Sequence, residues 1–144
     1  MRMGVEKRKF QRLDIPLNVT VEIISDEELL RELPPMMMQC RNISPDGICV
    51  ETPSIEVDGV NLLSGPPGAR DNRLRLVIEL TPGEEPLQAL GEVCWYDISR
   101  DTPVFTYQIG VAFTAFDNDG RQRLARFLKT HTKGRTGIFH KLFR

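Results

Sequence analysis

Two short groups of polar residues in this 144-residue chain have side chains suited to a planar, negatively charged ligand. Arg8 and Arg12 lie four residues apart in a basic segment near the start. A guanidinium presents a planar fork of donors that matches both phosphate and the O6/N7 edge of guanine. Side chains four residues apart share a face in a strand and in a helix, so both forks can address one elongated ligand.

The second group is the segment Asn42-Ile-Ser44-Pro-Asp-Gly47. The Asn42 amide has both an acceptor and donors, which suit the N1/N2 edge of guanine. Ser44 shares its face in a strand, and Gly47 permits a positive φ or the close approach of a ligand. Each group also has a simpler interpretation, as a solvated basic arm or an Asx turn. Their joint occurrence favours a binding site.

Enzymatic and metal sites find no support in the sequence. The chain has no GxSxG, Walker, HExxH or dinucleotide-binding motif, and its carboxylates are scattered. Cys40, Cys49 and Cys94 are odd in number and form no CxxC pair, while His131 and His140 lie nine residues apart. We therefore expect no catalytic residue, no metal and no cofactor, and we interpret the cysteines as small buried residues.

The net charge of −1 conceals a strong segregation of charge. Residues 1–12 carry +4, residues 13–120 carry −13 and residues 121–144 carry +8. Basic ends around an acidic body suggest a small anionic ligand or an acidic partner; the alternative is that the ends neutralise the body. An acidic body is atypical of duplex binders, and one Trp with two Tyr offers little stacking for single strands. We expect no nucleic acid polymer as partner.

The elements that must position these residues follow from hydrophobic periodicity. Alternation over 13–23 predicts a strand with its odd positions in the core and Pro16 near an edge or bulge. Leu124, Phe127, Leu128 and His131 have helical spacing, so a helix over 118–132 begins at Asp117, Asn118 or Asp119. The remaining predictions are two helical turns within 25–35, strands over 36–43, 47–52, 73–80, 87–98 and 104–116, and a surface loop over 53–72.

Six short strands followed by one helix predict an antiparallel barrel with the helix outside it or over one mouth. A small barrel has little interior room, so we expect a ligand on its outer surface or rim.

The sequence resembles the PilZ domain family, which binds the bacterial second messenger cyclic di-GMP. The resemblance rests on Arg8-x-x-x-Arg12 and Asn42-x-Ser44-x-x-Gly47, with Asn where many members have Asp. Two patterns on the later strands support it and extend it over roughly residues 5–130: Gly91-x-Val93-x-Trp95 and Gly110-Val111-x-Phe113.

The resemblance implies an all-β fold with an accessory helix, a six-stranded PilZ-type barrel with a C-terminal α-helix. Cyclic di-GMP would lie on the outer face. Arg8 and Arg12 would clamp guanine edges and phosphates, Asn42 and Ser44 would hold the Watson–Crick edge of a guanine, and Gly47 would leave room.

Two further residues are candidates for the same ligand. Trp95 is either a stacking surface for a base or a barrel-wall residue. In the family, the residue before RxxxR influences whether one nucleotide or a stacked pair binds. Here it is Lys7, a cation that favours the pair.

The resemblance and the charge pattern together divide the chain into three segments. Residues 1–12 are a flexible basic arm, 13–131 the barrel and helix, and 132–144 a basic amphipathic tail. Ile138, Phe139, Leu142 and Phe143 share one face of that tail. This face either docks a partner, a second subunit or an anionic membrane, or packs back on the barrel.

The predicted function is that of a cyclic di-GMP receptor that changes conformation on binding and regulates motility, adhesion or exopolysaccharide machinery. We expect an unidentified downstream protein partner and a monomer or homodimer. The sequence has no apolar run of about 20 residues and no signal-like start, so we expect a cytoplasmic protein without a transmembrane segment. The alternative is a PilZ-like adaptor that acts only through protein contacts, which the intact motifs disfavour.

Overall fold

The chain forms a closed antiparallel barrel of six strands followed by a helix, as predicted. A computed structural model describes residues 12–24, 34–57, 60–62, 73–99 and 106–143. The elements in chain order are β1 (Asn18–Ile23), β2 (Met36–Ile43), β3 (Gly47–Thr52), β4 (Glu56–Val57), β5 (Val60–Asn61), β6 (Arg73–Ile78), β7 (Leu87–Ser99), β8 (Thr106–Phe116) and α1 (Gly120–Phe143). The barrel strands pair in the order β1-β2-β3-β8-β7-β6, and β6 returns to β1.

The period-two pattern places the core correctly. Leu17, Val19 and Val21 are buried at the start of the barrel, as the alternation predicts. The regular strand is shorter than predicted and begins at Asn18, because Pro16 lacks the N–H that a ladder needs. Leu13 nevertheless forms an isolated bridge to β2. The side chains that fill the barrel with under 2% exposure are aliphatic: Val19, Val21, Ile43, Val50, Leu74, Leu76, Ile78, Leu87 and Ile109.

The segment 53–72 contains structure that the loop prediction did not include. β4 and β5 form a two-stranded antiparallel sheet of their own. Leu62 follows them, is fully buried, and donates its N–H to the carbonyl of Ile55 over 2.7 Å. Two-residue strands carry too few side chains to show an alternation, so the pattern was invisible in the sequence. The helical turns predicted within 25–35 fall on residues 25–33, which lie outside the described residues.

The C-terminal helix buries the predicted apolar face and is longer than predicted. Leu124, Phe127 and Leu128 are buried and His131 is half-buried, and α1 packs against β7. The helix continues to Phe143, so the tail defined as residues 132–144 extends the same helix up to that residue. The apolar face proposed for the tail stays a prediction. In the part of the chain that the structure describes, no helix is long and apolar enough to cross a membrane.

Candidate functional site

An open groove of about 200 Å³ crosses four neighbouring strands on the outer face of the barrel. Five of the predicted site residues line it: Arg12, Asn42, Ser44, Gly47 and Trp95. The structure therefore brings together two groups that are 30 residues apart in sequence. Lys7 and Arg8 lie outside the described residues.

The floor and walls of the groove are one cross-strand row. Asn42 of β2 pairs with Cys49 of β3, Cys49 with Gly110 of β8, and Gly110 with Trp95 of β7. Directly paired residues in a sheet present their side chains on the same face. Small residues in the middle of the row leave a depression between the amide of Asn42 and the indole of Trp95. Their backbones are three strand spacings apart, about 14 Å along the sheet.

The position of Arg12 is fixed by its neighbour Leu13. The Leu13 N–H donates to the Ile43 carbonyl over 2.8 Å, and the Ile43 N–H donates back over 3.0 Å. Leu13 and Ile43 are both buried, which anchors this bridge in the core. Because Ile43 lies between Asn42 and Ser44, the bridge holds Arg12 beside both members of the polar motif.

A β-bulge at Arg41 turns Asn42 toward the groove. The register of β2 with β3 shifts between Cys40, which pairs with Val50, and Asn42, which pairs with Cys49. Cys40 faces the core, so strict alternation would also turn Asn42 inward. The extra residue Arg41 restores the outward face, a common use of bulges beside binding sites.

Charged and polar side chains tie this bulge to the neighbouring strands. The Arg41 guanidinium donates to the Glu51 carboxylate over 2.7 Å, and the Gln108 amide donates to the same oxygen over 3.3 Å. The network spans β2, β3 and β8. It therefore connects the strand carrying Asn42 to the strand that forms the groove floor.

The turn between β2 and β3 is held by Ser44. Its backbone N–H donates to the Gly47 carbonyl over 2.9 Å, and its hydroxyl accepts the Asp46 N–H over 3.2 Å. The same hydroxyl donates to the Gly47 carbonyl over 3.4 Å. The Asn42 amide makes no hydrogen bond to any described residue. Ser44 thus shapes the turn, whereas Asn42 offers an uncommitted donor and acceptor to the groove.

A close approach of two strands explains the need for glycine at position 47. A Cβ at Gly47 would overlap the backbone carbonyl of Val111 on β8. This neighbour is backbone and has little room to move. Gly47 therefore allows the close contact between β3 and β8. Its φ is not positive, so backbone conformation is not the reason for glycine at this position.

A second bulge, at Cys94, turns Trp95 outward. Val93 pairs with Val111 and Trp95 pairs with Gly110, which leaves Cys94 as the extra residue of β7. The Trp95 side chain is 47% exposed, which decides against a fully buried barrel-wall role. Its five-membered ring lies against Gly110, where a Cβ would overlap the indole. Trp95 therefore offers aromatic surface at the groove.

The groove carries one positive and one negative side chain, and the positive one has no partner among the described residues. Within the described ranges the Arg12 guanidinium makes no hydrogen bond or ion pair, while Asp46 contributes an exposed carboxylate to the lining.

Burial raises the pKa of the Cys49 thiol, and the positive charges of Arg41 and Arg12 partly oppose this increase. Burial also raises the pKa of Cys40, to about 12. Both thiols are therefore neutral at physiological pH, whereas Cys94 is exposed.

The comparisons with known proteins agree with this architecture. A family model, PilZ domain, matches residues 6–130. The chain belongs to the PilZ domain family. No curated protein matches it.

Solved structures of other proteins share the fold. The PilZ domain of YcgR from Escherichia coli, solved with c-di-GMP, is 9% identical with a TM-score of 0.63, over 94% of this chain and 99% of that one. The inhibitor of motility MotI/DgrA from Bacillus subtilis is 19% identical with a TM-score of 0.60, over 89% of this chain and 52% of that one.

A third structure is PlzA from Borreliella burgdorferi in complex with c-di-GMP, 9% identical with a TM-score of 0.52. The match covers 88% of this chain and 55% of PlzA, so this PilZ chain spans about half the length of MotI and PlzA.

Proposed function

We propose that this PilZ chain is a non-enzymatic receptor for cyclic di-GMP, which binds in the groove across β2, β3, β8 and β7. The observation that carries the proposal is the row from Asn42 to Trp95 with Arg12 held at its edge. The row combines the three kinds of group that a guanine nucleotide needs: an aromatic surface, an amide and a guanidinium fork.

Each side chain has a distinct task in this proposal. The Trp95 indole stacks on one guanine, and the Asn42 amide hydrogen-bonds to its N1/N2 edge. The N1 and N2 groups of guanine are donors, so the Asp46 carboxylate at the rim supplies a second acceptor. Arg12 takes the O6/N7 edge or a phosphate, since its guanidinium is free of intramolecular partners within the described residues.

The small size of the groove supports a role for the basic arm in binding. Its volume of about 200 Å³ is below the range of about 300–1,000 Å³ typical of small-molecule pockets. It therefore covers only part of a dinucleotide. Arg8 is four residues from Arg12, a reach of at most about 14 Å, so the arm can close over the exposed part. Lys7 brings a further charge for the phosphates of a second molecule.

We infer an effector role from this arrangement, since ordering of the arm by ligand changes the surface presented to a partner. Regulation of motility is one candidate output, because MotI is described as an inhibitor of motility and has this fold. Adhesion and exopolysaccharide synthesis are the others, and a cytoplasmic location accords with all three.

The decisive experiment is a calorimetric titration of the chain with cyclic di-GMP, with GTP as the control. We expect saturable binding of cyclic di-GMP and none of GTP at the same concentration. A stoichiometry of two nucleotides per chain supports the role given to Lys7, and one opposes it. The absence of binding would leave the adaptor function, which needs no nucleotide.

Alkylation of the thiols provides an independent map of the site. Only the thiolate reacts, so burial and raised pKa keep Cys40 and Cys49 inert with iodoacetamide at about pH 8. We expect mass spectrometry of the native protein to show labelling at Cys94 alone. Because Cys94 lines the groove, cyclic di-GMP should slow its labelling severalfold, whereas GTP should not. Unchanged labelling by a ligand that binds would place the nucleotide elsewhere.

A further inference from the structure

The described part of the C-terminal helix has a positive charge that carboxylates do not neutralise. Over residues 120–131 its cations are Arg121, Arg123, Arg126 and Lys129, and no acid interrupts them. The Arg121 guanidinium lies 4.8 Å from the centre of the Phe116 ring. Arg123 donates to the backbone carbonyl of Glu85, and Arg126 and Lys129 have no ion pair with any described residue. Electrostatic attraction for an anion is therefore available along this helix.

Part of this charge faces a cleft between α1 and the β6–β7 connection. The cleft has a volume of about 340 Å³, within the range of about 300–1,000 Å³ found for small-molecule sites. Leu80 and Phe127 form its apolar floor. Its polar lining comprises Thr81, Glu84, Arg123, Arg126, Thr130 and His131. No residue of the nucleotide groove belongs to it.

Several of these groups are held in place by contacts that leave their functional atoms available. Arg123 is tied to the connection through the Glu85 carbonyl. The His131 Nδ1 lies 3.0 Å from the Phe127 carbonyl oxygen, which can only accept, so Nδ1 carries the proton. The imidazole also packs on the Phe127 ring at 4.1 Å between centres. Its Nε2 is therefore an acceptor, and it makes no hydrogen bond to any described residue.

The opposite wall is a short turn with a fixed shape. The Glu84 N–H donates to the Thr81 carbonyl over 3.1 Å, and Gly83 has a φ of +89°, a conformation that favours glycine. Glu84 thus places one carboxylate across the cleft from the guanidinium of Arg126 without pairing to it.

We propose that this cleft is a second ligand site, separate from the nucleotide groove, that binds a phosphomonoester carrying a hydroxyl group. The Arg126 fork and the remaining N–H groups of Arg123 take the phosphate oxygens, and Thr130, four residues from Arg126 on the same helix face, adds a hydroxyl. The Glu84 carboxylate accepts a hydrogen bond from the ligand hydroxyl. The same carboxylate disfavours a ligand that carries a second negative charge near its hydroxyl group.

A phosphomonoester can be a free metabolite or the headgroup of a lipid, and two probes distinguish them. Glycerol 3-phosphate represents the soluble form, and vesicles containing phosphatidic acid represent the lipid form. We expect calorimetry at constant ionic strength to show saturable binding of glycerol 3-phosphate to the full chain. Binding to the vesicles but not to glycerol 3-phosphate would overturn the small-molecule proposal and assign the cleft to a membrane. Binding of neither probe would overturn the site.

A matched pair of helix variants separates a built site from diffuse charge. Arg126→Gln and Lys129→Gln remove the same charge from the same helix, but only Arg126 lines the cleft. We expect Arg126→Gln to weaken glycerol 3-phosphate binding by about tenfold or more, because charge-assisted hydrogen bonds to the phosphate are lost. Lys129→Gln should weaken it by under about twofold. Equal losses in both variants would show general electrostatic attraction and refute the site.

Two further measurements keep this proposal independent of the nucleotide groove. Glu84→Gln should weaken binding of glycerol 3-phosphate relative to inorganic phosphate, because the carboxylate recognises the hydroxyl. Arg12→Ala and saturating cyclic di-GMP should leave phosphomonoester binding unchanged. If cyclic di-GMP displaces glycerol 3-phosphate, the two ligands compete for the groove. That result would contradict a second site, whether or not the proposed role of the groove residues in nucleotide binding is correct.

Discussion

Arg12→Ala is expected to lower the affinity for cyclic di-GMP by about 100-fold or more while leaving the folded state intact. A guanidinium that makes two charge-assisted hydrogen bonds contributes about 1.5–3 kcal/mol for each of them. The side chain is exposed and has no intramolecular partner in the described part of the chain, so the free energy of unfolding without ligand should change by less than about 0.5 kcal/mol. Calorimetric titration and thermal unfolding measure the two quantities separately.

Two variants control for the loss of a positive charge. Arg75 is also an exposed arginine, but it lies on β6 and pairs with Glu22, outside the groove. Arg75→Ala should leave the affinity within about twofold, because Arg75 lies outside the groove. The folded state should also stay intact, because an exposed ion pair contributes little to stability. Arg12→Lys keeps the charge and loses the fork, so it should recover only part of the affinity. Full affinity in Arg12→Ala would remove Arg12 from the site.

The fold could be predicted because the core follows simple periodicities. Alternating aliphatic residues in β1 and β6 and helical spacing at Leu124, Phe127 and Leu128 each select one buried face. Burying these side chains is the largest favourable contribution to folding, so the pattern that achieves it is visible in the sequence. The same logic fails for β4 and β5, whose two-residue strands contain no period.

The candidate site could be predicted as a set of residues but not as a surface. The two motifs identify Arg12, Asn42 and Gly47 by type and spacing. The outward placement of Asn42 depends on the bulge at Arg41, and that of Trp95 on the bulge at Cys94. Each bulge reverses the alternation of inward and outward side chains along its strand. A bulge is fixed by the register with a neighbouring strand, a long-range property that local sequence does not encode.

Trp95 shows the consequence of this limit. The sequence alone leaves both a stacking role and a barrel-wall role open for Trp95, since an aromatic residue in a strand fits either. The bulge at Cys94 decides in favour of exposure, and Gly110 supplies the flat backbone on which the indole lies. The sequence shows Gly110 only as part of the family pattern, because the residue that it contacts is distant along the chain.

Gly110→Ala should therefore weaken cyclic di-GMP binding by displacing Trp95 from its position in the groove. A Cβ at Gly110 would overlap Nε1 and Cε2 of the indole, so the ring must move away from the row. Base–aromatic stacking contributes about 1–3 kcal/mol per base. Its loss corresponds to an affinity lower by about 5- to 150-fold. Calorimetry gives the affinity, and tryptophan fluorescence reports the displacement because Trp95 is the only Trp of the chain.

A double-mutant cycle shows whether the effect passes through the indole. In the background of Trp95→Ala, the additional change Gly110→Ala should have almost no effect on affinity, because the ring that it displaces is absent. An equal loss in both backgrounds would mean that the new methyl group acts on the β8 backbone.

Gly91→Ala is the matched glycine variant, because its Cβ would lie 2.5 Å from Val111 Cγ1 inside the barrel. It should lower the free energy of unfolding by about 1–3 kcal/mol through overpacking, and it should weaken binding to the folded fraction less than Gly110→Ala does, because its Cβ does not overlap the indole.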